Sequence, residues 1–104
     1  MSDGGWVRVL KAEALREQGM AAVFPKGLPV LLIRKTGDEL YAVANKCPHM
    51  GCPLYRGRLD GYTLQCPCHD WRFDIRTGVF LDAPEISLRV HEWKISDGHI
   101  LVKV

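Results

Sequence analysis

The sequence predicts an all-β domain, an antiparallel β-sandwich that carries a loop-rich insertion and one short helix. Its apolar segments are short, rich in β-branched and aromatic residues, and separated by turn signals. All four cysteines and four of the six prolines fall between residues 45 and 84. A stretch of that composition is expected to form loops and short strands rather than long regular elements.

The segments on either side of the insertion supply the predicted sandwich strands. Trp6–Leu10 ("WVRVL") alternates apolar and polar side chains and predicts a first strand. Two further segments, Val30–Lys35 and Leu40–Ala44, flank "TGDE". This arrangement predicts a hairpin with a loop that contains glycine. Leu88–Ile95 and Ile100–Val104 flank "SDGH" in the same way. The chain is therefore expected to contain two hairpins, one before and one after the insertion.

The insertion and the predicted helix complete the expected organisation. Within the insertion, Tyr62–Gln65 and Arg72–Ile75 predict two short strands. Lys11–Gly19 ("KAEALREQG") is rich in good helix formers and ends on a glycine, which predicts a short helix. We expect one domain over residues 1–104, with a subdomain over about 45–84.

Composition excludes several classes of protein. The 104 residues carry a net charge of only +2, and no run of Lys or Arg forms a basic stripe, so a nucleic acid partner is not expected. The start "MSDGGW" lacks the basic and apolar regions of a secretory signal. The longest apolar run, Pro29–Ile33, is far too short to span a membrane. These features predict a cytoplasmic protein, in a compartment where thiols are normally reduced.

Two motifs in the insertion predict a metal site. The first is Cys47-Pro48-His49, and the second, separated from it by sixteen residues, is Cys66-Pro67-Cys68-His69. Thiolates and imidazoles crowded this closely usually bind a metal ion. Cys66 and Cys68 are separated only by Pro67, and one of them is expected to be the ligand in this motif. The spacing leaves open which of them is the ligand.

Zinc is the main alternative for this set of ligands, because pairs of cysteine and histidine also form tetrahedral structural sites. The sequence lacks the CxxC knuckle that such sites usually contain. A disulfide framework without metal is a further alternative, but it would leave both histidines unexplained.

The motifs and their flanks resemble those of the Rieske-type 2Fe-2S proteins. The segments "GCPLYRGRLDG" and "HDWRFDIRTG" are similar to the small Rieske ferredoxins. The resemblance implies one cluster per chain, with Cys47 and Cys66 on the inner iron and His49 and His69 on the outer iron near the surface. Two neutral imidazoles in place of two thiolates make the oxidised cluster formally neutral, which raises its potential.

The two remaining cysteines, Cys52 and Cys68, resemble a different branch of the family. In the Rieske proteins of cytochrome complexes, cysteines at these places form a disulfide between the two cluster loops. The resemblance therefore implies a Cys52–Cys68 bridge, worth at most about 3 kcal/mol in the chain-entropy model. Those proteins also carry a serine and a tyrosine that donate hydrogen bonds to sulfur, whereas this chain has Trp71 and Phe73 there. This difference predicts a lower potential.

The resemblance implies a one-electron carrier between a reductase and a terminal oxidoreductase such as an oxygenase, rather than an enzyme. Partners are expected to dock at the histidine end, near Met50, Leu54 and Pro67. The alternative is a small Rieske subunit of a nitrite-reductase-like enzyme. His91 and His99 lie outside the motifs and are expected to be exposed strand or turn residues.

Overall fold

The computed structural model describes residues 5–48, 51–68 and 70–104, and this part of the chain forms three antiparallel sheets. Its ten strands are β1 (Trp6–Lys11), β2 (Met20–Val23), β3 (Val30–Arg34), β4 (Leu40–Ala44), β5 (Arg58–Asp60), β6 (Thr63–Gln65), β7 (Arg72–Asp74), β8 (Val90–His91), β9 (Trp93–Ser96) and β10 (His99–Lys103). The first sheet has the order β1-β10-β9, the central sheet β2-β3-β4-β8, and the third sheet β5-β6-β7. The all-β fold class predicted from the sequence is confirmed.

The central sheet is covered on both faces, because successive side chains of a strand point in opposite directions. Val30 and Leu32 on β3 belong to a sandwich core shared with Ile100 and Val102 of the first sheet. The other face of the central sheet packs on an insert core, whose buried members are Leu31, Ile33, Val43, Cys47, Leu54, Leu64, Cys66, Phe73, Ile75, Phe80 and Leu88. The third sheet and the two motif cysteines are therefore built onto the far side of the central sheet.

Both predicted hairpins are present. β3 pairs with β4 in register from Val30↔Ala44 to Arg34↔Leu40. β9 pairs with β10 across a two-residue turn, in which Asp97 has φ 51° and Gly98 has φ 75°. Two successive residues with positive φ give the turn type whose twist matches that of paired strands, and Asp-Gly is a favoured sequence for it.

The helix predicted over Lys11–Gly19 is wrong. The structure has only one turn of 3-10 helix there, Ala12–Ala14. The Ala12 carbonyl accepts the Leu15 N–H at 3.2 Å within this turn, and the Arg34 guanidinium donates to the carbonyls of Ala12 and Leu15 at 2.7 and 2.8 Å. Tertiary contacts with β3 thus override the local helix propensity.

The strand predicted over Leu88–Ile95 divides into two. Val90 and His91 pair with β4 of the central sheet, whereas Trp93–Ser96 pair with β10 of the first sheet. The chain passes from one sheet to the other at Glu92, whose carbonyl accepts the Lys103 N–H at 3.0 Å. Strands β2 and β5 were not predicted. In the described part of the chain, no helix has the length and apolar character needed to cross a membrane.

Candidate metal centre

Two loops with the same backbone hydrogen bonds carry the two motifs. In the first loop the Cys47 N–H donates to the Cys52 carbonyl at 2.8 Å, and the Gly51 N–H donates back to the Cys47 carbonyl at 2.7 Å. In the second, the Cys66 N–H donates to the Trp71 carbonyl at 2.7 Å, and the Asp70 N–H donates to the Cys66 carbonyl at 3.1 Å. The first cysteine of each motif therefore occupies the same place at the base of its loop.

The fifth residue of each loop makes this closure possible. Gly51 and Asp70 have φ of 73° and 59°, which is the left-handed region. Glycine adopts that conformation at little cost, and aspartate tolerates it better than most other residues. The chain can therefore turn back within four residues and close on the cysteine in both loops.

Cys47 and Cys66 are each only 1% exposed and pack into the insert core. Both lie outside the disulfide. Cys66 directly follows β6, and Cys47 comes three residues after the end of β4. Between β4 and Cys47, the buried Asn45 accepts the Tyr55 N–H on its Oδ1 at 2.9 Å. This hydrogen bond fixes the segment that leaves the first loop. Two buried thiols thus stand at the bases of two equivalent loops.

A disulfide joins the two loops. It connects Cys52 at the end of the first loop with Cys68 inside the second, and the two Cα atoms are 6.6 Å apart. Cys52 is half-buried and Cys68 is exposed. Because the bridge links the loops directly, it limits how far their bases can move apart.

The remaining candidate residues have different outcomes. His49, His69 and Met50 lie outside the described residues. Pro67 is exposed beside Cys66. The expectation that Leu54 belongs to a docking surface is wrong, because its side chain is fully buried in the insert core.

An aromatic stack, which the sequence analysis did not identify, adjoins the second loop. The rings of Trp71 and Phe80 lie 4.1 Å apart and within 5° of parallel. Phe73 packs against Phe80 with its ring centroid 5.5 Å away. Phe80 comes from a segment after the third sheet, joined to β7 by an isolated bridge with Phe73. The stack covers the base of the second loop with apolar surface.

A polar network lies at the other end of the third sheet and was also missed. The hydroxyl groups of Tyr41 and Tyr62 both donate to Glu39 Oε2, at 2.5 and 2.8 Å. These bonds lower the pKa of Glu39 and raise the pKa of Tyr41 to about 12. The buried Lys35 donates to the Gly61 carbonyl at 2.5 Å. The network ties the turn between β5 and β6 to the β3–β4 hairpin.

The expectation that His91 is exposed is wrong, and this residue lies on β8. It is 6% exposed rather than exposed on its strand. Its Nδ1 lies 3.4 Å from the Lys103 carbonyl, and burial lowers the pKa of the ring. His99 lies beside the final turn, with Nδ1 3.1 Å from the Asp97 carbonyl.

Comparison with known proteins decides the family. A family model described as the Rieske 2Fe-2S domain matches residues 5–95, which include both loops, the central sheet and the third sheet. The chain belongs to the Rieske family. Its cofactor is therefore a Rieske-type 2Fe-2S cluster, and the zinc-held module considered from the sequence is excluded.

Relatives of this Rieske protein match it along nearly their whole length. Ferredoxin CarAc of Metapseudomonas resinovorans is 30% identical over 98 residues, covering 93% of this chain and 92% of that protein. The ferredoxin component of the naphthalene 1,2-dioxygenase system of Pseudomonas putida is 29% identical over 98 residues, covering 93% of each. A solved complex of reduced oxygenase and oxidised ferredoxin in carbazole 1,9a-dioxygenase contains a chain of 29% identity and TM-score 0.85, with 97% of this chain and 94% of that chain covered.

These likenesses make the chain a Rieske-type ferredoxin, an electron carrier rather than an enzyme. The donor chemistry of the two loops fits the cofactor. Each loop offers one buried thiol at an equivalent position, and each carries one histidine in its sequence. Two thiolates and two imidazoles are the ligands that define this type of cluster.

Proposed function

We propose that this ferredoxin carries single electrons from a reductase to a terminal oxygenase. The observation that supports this proposal is the identity of the relatives that match over nearly their whole length. They include a ferredoxin component of a dioxygenase system and a ferredoxin whose structure was solved with its oxygenase. The segment of about residues 45–84 would act as the cluster-binding subdomain of a single domain that spans 1–104. The cytoplasm is the proposed compartment.

In this proposal Cys47, His49, Cys66 and His69 hold the cluster. Its chemistry, when bound, is the reversible uptake of one electron. Support comes from the equivalent backbone hydrogen bonds of Cys47 and Cys66, which place the two cysteines at the same position in their loops. Their burial supports it too, since a thiolate shielded from water is protected from oxidation and hydrolysis of its metal bond.

The rest of the insertion keeps the ligand loops in place. The Cys52–Cys68 bridge restrains the loops relative to each other. The Trp71–Phe80 stack excludes water from the base of the second loop. Small movement of the ligands between the two redox states favours fast electron transfer, because little reorganisation is then needed. Rigidity around the loops is therefore the chain's own contribution to the function.

A single-turnover experiment tests the proposed carrier role. The holoprotein, reduced by one electron, is mixed without oxygen with the oxidised oxygenase components of the carbazole and naphthalene systems. We expect the visible absorption of the oxidised ferredoxin to return as the oxygenase takes the electron. Cys66→Ala protein, which is expected to lack the cluster, serves as the control.

The proposal would be wrong if the ferredoxin stayed reduced with both oxygenases and instead purified as a fixed component of a large enzyme. That outcome would favour the alternative of a small subunit of a nitrite-reductase-like enzyme.

A further inference from the structure

The outward face of the third sheet carries a row of arginines next to the second loop. Arg58 on β5 pairs with Gln65 on β6, and Gln65 pairs with Arg72 on β7. Directly paired residues of an antiparallel sheet lie on the same face. The next row, which includes Leu64 and Phe73, is buried in the insert core, so the arginine row points to solvent. Both Arg58 and Arg72 are exposed.

The arginine row adjoins the proposed ligand Cys66. A pocket of about 270 Å³ has a lining that includes Arg56, Arg58, Gln65, Cys66, Pro67 and Asp70. Arg56 is exposed and ends the 3-10 helix Leu54–Arg56. Three guanidinium groups therefore lie on the surface around the base of the second loop.

These guanidinium groups are not neutralised within the described part of the chain. Ion pairs there join Arg34 to Asp38, Arg76 to Asp74 and Lys103 to Glu92, and they involve none of the three arginines. One carboxylate, that of Asp70, lines the pocket. Arg56 and Arg58 outnumber this carboxylate in the pocket, and Arg72 in the same row as Arg58 adds a further positive charge to the face.

The acidic residues of the same sheet lie one row further from the loop. Asp60 pairs with Thr63, and Thr63 pairs with Asp74. Asp74 is bound by Arg76 at 3.0 Å, and this contact lowers the pKa of its carboxyl group. The positive charge of the face is therefore concentrated on the side nearest the cysteine loop.

Two exposed apolar side chains flank the arginines. Tyr55, which is 48% exposed, directly precedes Arg56. Leu81, which is 45% exposed, donates its N–H to the Arg72 carbonyl at 2.9 Å and so lies beside β7. Tyrosine and arginine are enriched at protein interfaces, where arginine pairs with carboxylates in two parallel hydrogen bonds.

We propose that Tyr55, Arg56, Arg58, Arg72 and Leu81 form an arginine face that docks an acidic surface of an electron-transfer protein. This inference rests on the proposed carrier function and deepens it, because it specifies the chemistry of the partner. Carboxylates of the partner pair with the guanidinium groups, while Tyr55 and Leu81 contact its apolar surface. The charges attract the partner over a distance and so raise the rate of encounter.

The test measures electron transfer from the reduced holoprotein to two protein oxidants of opposite charge. Plant plastocyanin is an acidic copper protein, and cytochrome c is a basic haem protein. In the first reaction the ferredoxin loses one electron and copper(II) becomes copper(I). Rates are measured by stopped flow at ionic strengths of about 0.01 to 0.15 M, over which the screening length falls from about 30 to 8 Å.

The variant is the double charge reversal Arg56→Glu with Arg58→Glu. Its matched control is Arg8→Glu with Arg16→Glu, which changes the net charge equally at two exposed arginines outside the third sheet. With the wild type, we expect the rate with plastocyanin to fall as salt rises. At low salt the rate of the face variant should be at least about tenfold lower than that of the wild type, whereas the rate of the control should fall much less. With cytochrome c the face variant should react faster than the wild type.

The inference is overturned if the face variant and the control lose equal rate with plastocyanin, because net charge would then explain the effect. A wild-type rate that rises with salt for plastocyanin would also overturn it. Both variants are first checked for unchanged cluster absorption and potential. If the Glu variant loses its cluster, Arg56→Gln with Arg58→Gln replaces it, with Arg8→Gln and Arg16→Gln as control. If the wild type transfers one electron to either oxidant but shows none of these charge effects, the docking inference fails and the carrier function stands.

Discussion

The indole ring of Trp71 stacks on the phenyl ring of Phe80, with the ring centroids 4.1 Å apart. This contact joins the end of the second loop to a segment that follows the third sheet. It also covers the insert core where Cys66 is buried. The stack is therefore expected to support both the fold and the retention of the cluster.

We predict that Trp71→Ala lowers the free energy of unfolding by about 2 kcal/mol, less than for a fully buried tryptophan because the side chain is only half-buried. The variant should also lose visible absorption faster on warming. Trp71→Phe keeps an aromatic partner for Phe80, so its free energy of unfolding should lie between those of the wild type and Trp71→Ala. Denaturant unfolding checks the prediction, and a Trp71→Ala protein as stable as the wild type would contradict it.

Sequence reasoning succeeded where the information is local. The turns at Gly37 and Gly98 lie between segments that predict strands, and the hairpins followed from them. The family resemblance likewise depended on short motifs around Cys47 and Cys66. These features are encoded within a few residues of one another.

Other features depend on residues that are distant in the sequence. The Lys11–Gly19 segment forms only one turn of 3-10 helix, and it is held by Arg34, about 20 residues later, which donates to the Ala12 and Leu15 carbonyls. Strand β2 has no alternation of its own and exists through its pairing with β3. Phe80 also gave no sign that it would meet Trp71. Such contacts are decided by the packed sheets, not by local pattern.

A glycine at the junction of the first loop and the third sheet leads to a second prediction. A Cβ atom at Gly57 would collide with the carbonyl oxygen of Gln65 and lie 2.9 Å from that of Leu54. Gly57→Ala should therefore cost about 2 kcal/mol of stability and speed cluster loss, because Gln65 directly precedes Cys66.

Gly98→Ala provides the control for this substitution. Gly98 has φ of 75° and open space around its Cα, so alanine there costs only the left-handed backbone, roughly 1 kcal/mol. It lies in the final hairpin and should leave the cluster intact. Equal rates of cluster loss in the two variants would show that the Gly57 junction does not support the loop.

The ligand assignment is tested by removing each cysteine. We predict that Cys47→Ala or Cys66→Ala abolishes cluster assembly, because the cluster would lose a thiolate. Cys52→Ala and Cys68→Ala should still give coloured protein, since these residues form the disulfide. Iron and sulfide analysis with visible spectra checks this. Colourless Cys68→Ala together with coloured Cys66→Ala would reverse the assignment.

The burial of His91 predicts that this residue contributes to the pH dependence of the free energy of unfolding. Burial lowers the pKa of its ring in the folded state, and the hydrogen bond with the Lys103 carbonyl offsets only part of this effect. The unfolded chain therefore takes up a proton first, near the ordinary histidine pKa of about 6.5. Stability conferred by neutral His91 is present above that pH and is lost as the pH falls below it.

We expect His91→Gln to show a shallower loss of stability than the wild type as the pH falls from about 7 to 5, in denaturant unfolding at each pH. Comparison of the two proteins cancels the carboxylates that titrate at lower pH. Parallel curves would mean that His91 takes up its proton equally well in the folded and unfolded chains.

The residues beside the second loop predict a low potential for a Rieske protein. Trp71 and Phe73 have no hydroxyl group to donate a hydrogen bond to sulfur, and donors of that kind favour the more negative reduced state. Asp70 adds a carboxylate next to the proposed ligand His69. Both features disfavour the added electron, and the arginines near this loop oppose them only weakly because their charges are exposed and screened by solvent. The midpoint should therefore lie in the lower half of the Rieske range of about −150 to +300 mV.

A redox titration of the holoprotein followed by electron paramagnetic resonance tests the central claim most directly. The account predicts the signal of a reduced Rieske cluster, appearing in one reversible one-electron step at neutral pH with its midpoint in that lower half. A protein that gives no such signal after reduction would contradict the assignment of an electron-carrying cluster to these two loops. A midpoint above about +150 mV would contradict the role given to Trp71, Phe73 and Asp70.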